Sequence, residues 1–168
     1  MGLVKRFVVA SVGSVILATV LPSVAATAQT KASCWEVKPD EKGFASDTNK
    51  VRAKLGRTKL QLDPQLSRAA RLHSREMFKQ DLLYHTPGDK LTRRVTNWSM
   101  LGENVGVGYS VESLQDAFLN SPGHRANILH PSFKYFGVGT IERDGKMWVT
   151  VIFEGAQNPG TPLKMPSC

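Results

Sequence analysis

The sequence predicts an α+β domain in which helices cover both faces of a central sheet. Two observations carry this prediction. Residues 63–81 have apolar side chains at helical spacing, which indicates a long amphipathic helix. Two apolar runs, 136–143 and 146–153, flank Asp144 and Gly145, a dipeptide typical of a tight hairpin. Helices before and between strands, followed by an antiparallel hairpin, favour this class of fold.

The first half of the chain is predicted to contain two helices. Ser46 or Asp47 is suited to cap a first helix that stops at Gly56, a normal helix-ending residue. Asp63 and Pro64 form an N-cap and first-turn pair that opens the long helix. We expect this long helix to pack on the sheet.

The second half alternates strands and helices. Residues 86–100 are predicted to form a loop with one helical turn, and residues 102–108 to form a strand. Ser110 is a suitable cap for the helix that follows. Ser121 and Pro122 then fit the cap and first position of a further short helix, which leads to the hairpin.

The N-terminal segment has the layout of a secretory signal peptide. Lys5 and Arg6 precede an apolar run at 7–21, and small residues follow at Ala26 and Ala28. A single-pass anchor is the alternative, but the apolar run is short for a membrane span. We therefore expect residues 1–28 to be removed, the protein to be secreted, and no integral membrane segment to remain.

Export leaves about 140 residues, enough for one domain with a core and too few for two. We expect an N-terminal arm at 29–43, the domain at 44–157, and a tail at 158–168 that carries the terminal cysteine. The formal net charge of the whole chain is +8, which attracts a secreted protein to anionic surfaces. The basic residues are scattered without interleaved aromatic residues, so the pattern does not indicate nucleic-acid binding.

The chain has two cysteines, Cys34 and Cys168, near the two ends of the expected mature protein. An even count in an exported chain favours one disulfide that ties these ends together. Two free thiols and an intermolecular disulfide are the alternatives. A catalytic cysteine is not expected, because both positions lie in terminal segments away from the histidine motifs.

Three short polar motifs embedded in apolar sequence carry the candidate chemistry. They contain His85, followed by Thr86, then Glu103 in Leu-Gly-Glu-Asn-Val, and His124 in Ser-Pro-Gly-His-Arg-Ala-Asn-Ile-Leu. His124 is expected in the first turn of its helix, where the partial positive charge disfavours imidazolium. A neutral imidazole keeps a lone pair for a metal ion or a proton.

These motifs resemble those of a known family. The order His-Thr, Gly-Glu-Asn-Val, Ser-Pro-Gly-His-Arg-x-Asn-Ile-Leu, Gly-Val-Gly and Trp-Val-Thr-Val-x-Phe is similar to the bacterial-type branch of the CAP superfamily, or SCP domain. Its animal and plant members are the cysteine-rich secretory, venom-allergen and pathogenesis-related proteins. The resemblance runs from about residue 44 to residue 155. It implies an α-β-α sandwich with a central, mostly antiparallel sheet and a cleft beside it.

The resemblance also implies a cleft with two histidines and two acidic side chains. His85 and His124 match the histidines and Glu103 matches one acid, whereas Asn120 stands at the position that we match to the second acid. Two nitrogen ligands and one oxygen ligand suit a divalent cation, and we expect zinc, with water completing the shell. The alternative is that the three side chains only hydrogen-bond one another and brace the cleft.

Two functions follow from this resemblance. The first is a secreted binding domain whose cleft holds a divalent cation and whose adjoining grooves take a lipid, a sterol-like molecule or a cell-wall fragment, without turnover. The second is an extracellular hydrolase in which Glu103 is the general base and His124 or His85 polarises the substrate or holds zinc. The missing second acid favours the binding domain.

Overall fold

A computed structural model describes residues 35–155 of the chain. The predicted signal peptide, Cys34, Cys168 and the C-terminal tail lie outside the described residues. The predicted disulfide therefore stays a prediction.

Five helices and four strands make up the described part of the chain. No helix within residues 35–155 is both long enough and apolar enough to cross a membrane. The elements are α1 (Pro39–Lys54), β1 (Gln61–Leu62), α2 (Pro64–Gln80), α3 (Gly88–Arg94), β2 (Met100–Gly108), α4 (Val111–Asn120), α5 (Pro122–Leu129), β3 (Tyr135–Arg143) and β4 (Lys146–Gly155).

The four strands form one mixed sheet in the order β1-β3-β4-β2. Strand β1 pairs with β3 in parallel, and the other two pairings are antiparallel. The predicted hairpin joins β3 to β4 through Asp144 and Gly145, which have φ values of 53° and 72°. Strand β2 is an edge strand, so helices on both faces of the sheet can approach it.

Helices cover both faces of this sheet, which confirms the predicted α-β-α sandwich. Alternate residues of β4 point to opposite faces. Val149, Val151 and Phe153 pack in a core with residues of α1, α4 and α5. Ile152 packs with residues of α2 and α3, and Trp148 packs with Met77 of α2.

The predicted start of α1 is wrong. The helix begins at Pro39, well before Ser46, within the segment that the sequence suggested was an arm. Glu41 accepts a hydrogen bond of 3.0 Å from the Lys38 backbone, which satisfies a donor at the helix start. Its carboxylate, 1% exposed, also pairs with Arg71 of α2, a tertiary contact that local sequence does not reveal. The other helix starts agree more closely with the sequence.

Helix α2 lies against the backbone of β3 at two glycines. A Cβ atom added to Gly137 would lie 2.1 Å from the Leu66 carbonyl carbon, and one added to Gly139 would lie 2.1 Å from the Arg71 amide nitrogen. Both contacts are with helix backbone, which cannot move aside as a side chain can. The two glycines therefore set the distance between α2 and the sheet.

A buried pair of carboxyl groups lies where β4 ends and α2 begins. Glu154 is 1% exposed, and its Oε1 has no hydrogen-bond partner within residues 35–155. Burial, together with the charge of Asp63, raises the pKa of Glu154 to about 7. Asp63, the N-cap of α2, accepts a hydrogen bond of 2.9 Å from the Leu66 amide, yet burial also raises its pKa. Glu154 therefore stays protonated at pH values where an exposed glutamate is ionised.

We expect Gly139→Ala to lower the free energy of unfolding by about 3 kcal/mol or more, because the new methyl group overlaps the backbone of α2. Gly123→Ala is the matched control. It lies within α5, where an added Cβ meets nothing within 4 Å, so it should be neutral or stabilise by up to about 1 kcal/mol. Urea unfolding measures the free energy of unfolding of both variants, and equal values for the two would contradict the close packing of α2 on β3.

We expect Glu154→Gln to change how stability depends on pH. Between the ordinary glutamate pKa of 4.5 and the value of about 7 in the folded protein, only the unfolded chain loses this proton. The free energy of unfolding of the parent should therefore fall relative to the variant by about 2 to 3 kcal/mol from pH 5 to pH 8. Urea unfolding of both proteins at the two pH values tests this, and parallel pH profiles would refute it.

Candidate functional site

Glu103 lies in the edge strand β2 and receives three hydrogen bonds from the loop after α2. Its Oε1 lies 2.9 Å from Nδ1 of His85 and accepts a bond of 2.9 Å from the Thr86 amide. Its Oε2 accepts a bond of 2.5 Å from the Thr86 hydroxyl. Both carboxylate oxygens are therefore engaged by two consecutive residues.

The two partners differ sharply in exposure. The Glu103 side chain is 6% exposed, whereas the His85 side chain is 61% exposed. Because Nδ1 faces the carboxylate, the other ring nitrogen, Nε2, lies on the far side of the imidazole. The buried carboxylate therefore orients an accessible histidine.

The loop that carries His85 is held by a histidine in the core. His73 of α2 is fully buried, and its Nε2 lies 2.7 Å from the Tyr84 carbonyl oxygen. Its ring also makes an edge contact with the Tyr84 ring, with 4.9 Å between centroids. These contacts fix the backbone immediately before His85.

His124 comes from the helix layer on the opposite face of the sheet. Pro122 opens α5, which places His124 in the first turn as the sequence predicts. Ser121 is the N-cap residue in extended conformation, but its side chain makes no capping hydrogen bond. The His124 ring packs edge-on against Phe118 of α4, with 4.9 Å between centroids.

Two asparagines attach α5 to β2. The Asn104 side-chain amide donates a hydrogen bond of 3.1 Å to the His124 carbonyl oxygen. The Asn127 side-chain amide donates a hydrogen bond of 2.9 Å to the Asn104 side-chain oxygen and one of 3.1 Å to the Glu103 carbonyl oxygen. Because Glu103 and Asn104 are adjacent in β2, their side chains point to opposite faces of the sheet. One dipeptide thus positions both histidine-bearing segments.

The environment of His124 favours its neutral form. Burial lowers the pKa of His124, and charge on His85 lowers it further. The first cause disfavours any charged ring at this position, and the second reflects the proximity of the two imidazoles. A neutral ring offers a lone pair at neutral pH.

The structure brings His85 and Glu103 into direct contact, with His124 close enough to His85 for their charges to interact. Within residues 35–155, no three histidine, cysteine, aspartate or glutamate side chains are arranged to hold one metal ion. A zinc site in which His85, His124 and Glu103 all bind the ion stays a prediction. Asn120, at the position of the missing acid, is exposed at the end of α4.

Thr86 is the site residue whose role the sequence did not reveal. Its amide and hydroxyl supply two of the three bonds to Glu103. The only sequence signal is its place directly after His85, which gives no indication that it faces a carboxylate from a distant strand. The Arg125 side chain makes no ion pair within the described part of the chain, although it follows His124 directly.

The fold is a three-layer sandwich. Its edge strand presents a glutamate and an asparagine to two histidine-bearing segments, and this arrangement defines the class of protein. Residues 45–153 match the family model described as CAP, the cysteine-rich secretory protein family. The chain belongs to this family, and its relatives include bacterial proteins.

Three known proteins illustrate the similarity. The uncharacterized protein YkwD of Bacillus subtilis is 36% identical over 115 residues, which cover 64% of this chain and 44% of YkwD. An extracellular SCP-domain protein of Bacillus anthracis is 31% identical with a TM-score of 0.60, covering 68% of this chain and 40% of that structure. The chain thus spans less than half the length of these two proteins. The structure of NaASP2 with Zn²⁺ is 12% identical with a TM-score of 0.58, covering 73% of this chain and 84% of NaASP2.

We expect Glu103→Ala to lower the free energy of unfolding by about 2 to 3 kcal/mol, because it leaves the Thr86 amide without its acceptor. Glu103→Gln retains one oxygen and should cost less. His85→Ala, at an exposed ring, should change stability by no more than about 0.5 kcal/mol. Thermal and urea unfolding give this order, and a larger loss for His85→Ala than for Glu103→Ala would contradict it.

Proposed function

We propose that this protein is a secreted CAP domain that holds a divalent cation, zinc, between His85 and His124. In this proposal it binds an apolar ligand beside that ion without chemical turnover. The ligand is a lipid, a sterol-like molecule or a cell-wall fragment.

The contact between Glu103 and His85 is the observation that carries the proposal. A histidine that binds a metal commonly gives its other ring nitrogen to a carboxylate, which fixes its tautomer and raises its basicity. The 2.9 Å contact at Nδ1, from a carboxylate that is 6% exposed, supports this arrangement with Nε2 as the metal ligand. It favours an orienting role for Glu103 over the ligand role that the sequence suggested.

His124 supplies the second nitrogen. Its lowered pKa keeps the ring neutral, as a metal ligand must be. Two imidazoles leave coordination positions for water or for an oxygen of the bound ligand. The structure of the similar protein NaASP2 with Zn²⁺ supports zinc as the ion.

The geometry of Glu103 favours binding over hydrolysis. A general base must reach the proton that it abstracts. Both oxygens of Glu103 already accept hydrogen bonds from His85 and Thr86, and the side chain is nearly buried. A hydrolase with Glu103 as general base is therefore the second candidate.

Exposed apolar residues beside His85 support an apolar ligand. Leu82 and Leu83, in the loop between α2 and α3, are 56% and 46% exposed. Adjacent exposed apolar side chains are the kind of surface that often marks a binding site. The positive net charge supports recruitment to anionic surfaces.

Calorimetric titration of the metal-free protein with zinc chloride tests the cation site. We expect one zinc ion per chain at pH 7.5, and binding should weaken as the pH falls below about 6.5, because protons compete for the imidazoles. The His85→Ala, His124→Ala double variant should lose this binding. Glu103→Gln should weaken it by about 10- to 100-fold, the usual effect of removing a carboxylate behind a metal-binding histidine.

His130→Ala is the matched control, since it removes a histidine outside the site and should leave zinc binding unchanged. Zinc binding by the double variant equal to that of the parent would disprove the cation site. Hydrolysis of ester or amide substrates by the parent, abolished by Glu103→Gln, would instead support the hydrolase.

A further inference from the structure

A recess lies along α5, between the C-terminal end of α4 and the segment that follows α1. Its volume is about 550 Å³. None of His85, Glu103 and His124 lines it. The residues that matter for its chemistry are Arg57, Leu119, Arg125, Leu129, His130 and Pro131.

The polar part of this recess is basic. Arg57 and Arg125 both line it, and no lining residue is acidic. Neither guanidinium has an ion-pair partner within residues 35–155, whereas Arg71 pairs with Glu41 and Arg94 pairs with Glu76. Two unpaired guanidinium groups on one recess form a surface suited to carboxylate or phosphate oxygens.

A buried cation beside the recess adds to this positive potential. Arg52 of α1 is 0% exposed and donates hydrogen bonds to three backbone carbonyl oxygens. Those of Thr58 and Ile128 lie at 2.8 and 2.6 Å, and that of His130 lies at 3.1 Å. No carboxylate within the described residues pairs with it, although buried charges are normally paired.

The carbonyl oxygens compensate Arg52 only in part. The C-terminal end of a helix such as α5 carries about half a negative elementary charge, so one full positive charge leaves a surplus. Burial lowers the pKa of Arg52, and repulsion from the positive charge of Arg57 lowers it further. An anion in the recess would relieve this repulsion.

Apolar side chains make up another part of the lining, which also includes the polar residues Asn120 and His130. Leu119, Leu129 and Pro131 contribute side chains without charge or hydrogen-bonding groups. We propose that this recess binds a small organic anion, with its carboxylate or phosphate on Arg57 and Arg125 and a short apolar body against the leucines. This site is independent of the proposed cation site.

The probes are hexanoate and hexyl phosphate, added to ¹⁵N-labelled protein. We expect saturable shifts in the amide resonances of Arg57, Ala126 and Leu129 with both anions. Two controls separate the contributions, since 1-hexanol lacks the charge and inorganic phosphate lacks the apolar body. Both controls should bind at least about tenfold more weakly.

The Arg57→Ala, Arg125→Ala double variant should weaken binding of both anions by about tenfold or more. Arg68→Ala, Arg75→Ala is the matched control, because it removes two exposed arginines from α2 on the other face of the sheet. The His85→Ala, His124→Ala variant should bind the anions as the parent does, so failure of the zinc site would not affect this result.

Four results would overturn the proposal. Three of them are equal binding of hexanol and hexanoate, equal binding of inorganic phosphate and hexyl phosphate, and unchanged anion binding by the Arg57→Ala, Arg125→Ala variant. Equal losses in the two double arginine variants would also overturn it, because the effect would then reflect net charge alone.

Discussion

The close approach of α2 to β3 is the constraint on which the arrangement of the site depends. Gly137 and Gly139 leave no room for a side chain between the strand and the helix backbone, so α2 has one possible depth on the sheet. The position of α2 on the sheet therefore determines where the helix ends and where the loop that carries His85 begins. The buried His73 then holds the Tyr84 carbonyl, and His85 follows directly beside Glu103. The position of an exposed histidine is thus determined by packing in the core.

The edge position of β2 explains how two helix layers meet at one site. A central strand would be shielded by its neighbours, but β2 has a free side, around which the loop after α2 and the start of α5 can converge. Alternation along the strand assigns Glu103 to one layer and Asn104 to the other. Gly102 permits α5 to come close, since a Cβ there would lie 3.0 Å from the Asn127 side-chain oxygen. Strand β2 therefore acts as the common support of both segments.

Sequence predicts those parts of this structure that depend on local chemistry. Asp63 and Pro64 mark the start of α2, and Asp144 and Gly145 mark the hairpin, because capping and turn geometry are decided within a few residues. The start of α1 carries local signals too, Pro39 at the first helical position and two acidic residues in the first turn, but the burial of Glu41 depends on Arg71, a residue 30 positions away. The same reason applies to Thr86, whose carboxylate partner comes from another element. The basic recess could not be foreseen, because Arg57 and Arg125 are far apart in the chain and only the fold brings them together.

Helix α5 links the two proposed sites, because His124 and Arg125 are consecutive residues with side chains directed about 100° apart around the helix axis. An eight-residue helix has little stability of its own in water. Its first turn is held by Asn104, and its last carbonyl oxygens are held by Arg52. A buried arginine without a carboxylate thus has a structural reason, since only a long side chain with several donors reaches these carbonyls from α1. Arg52 carries a positive charge that these carbonyl oxygens compensate only in part. The same positive charge makes the adjoining recess suited to an anion.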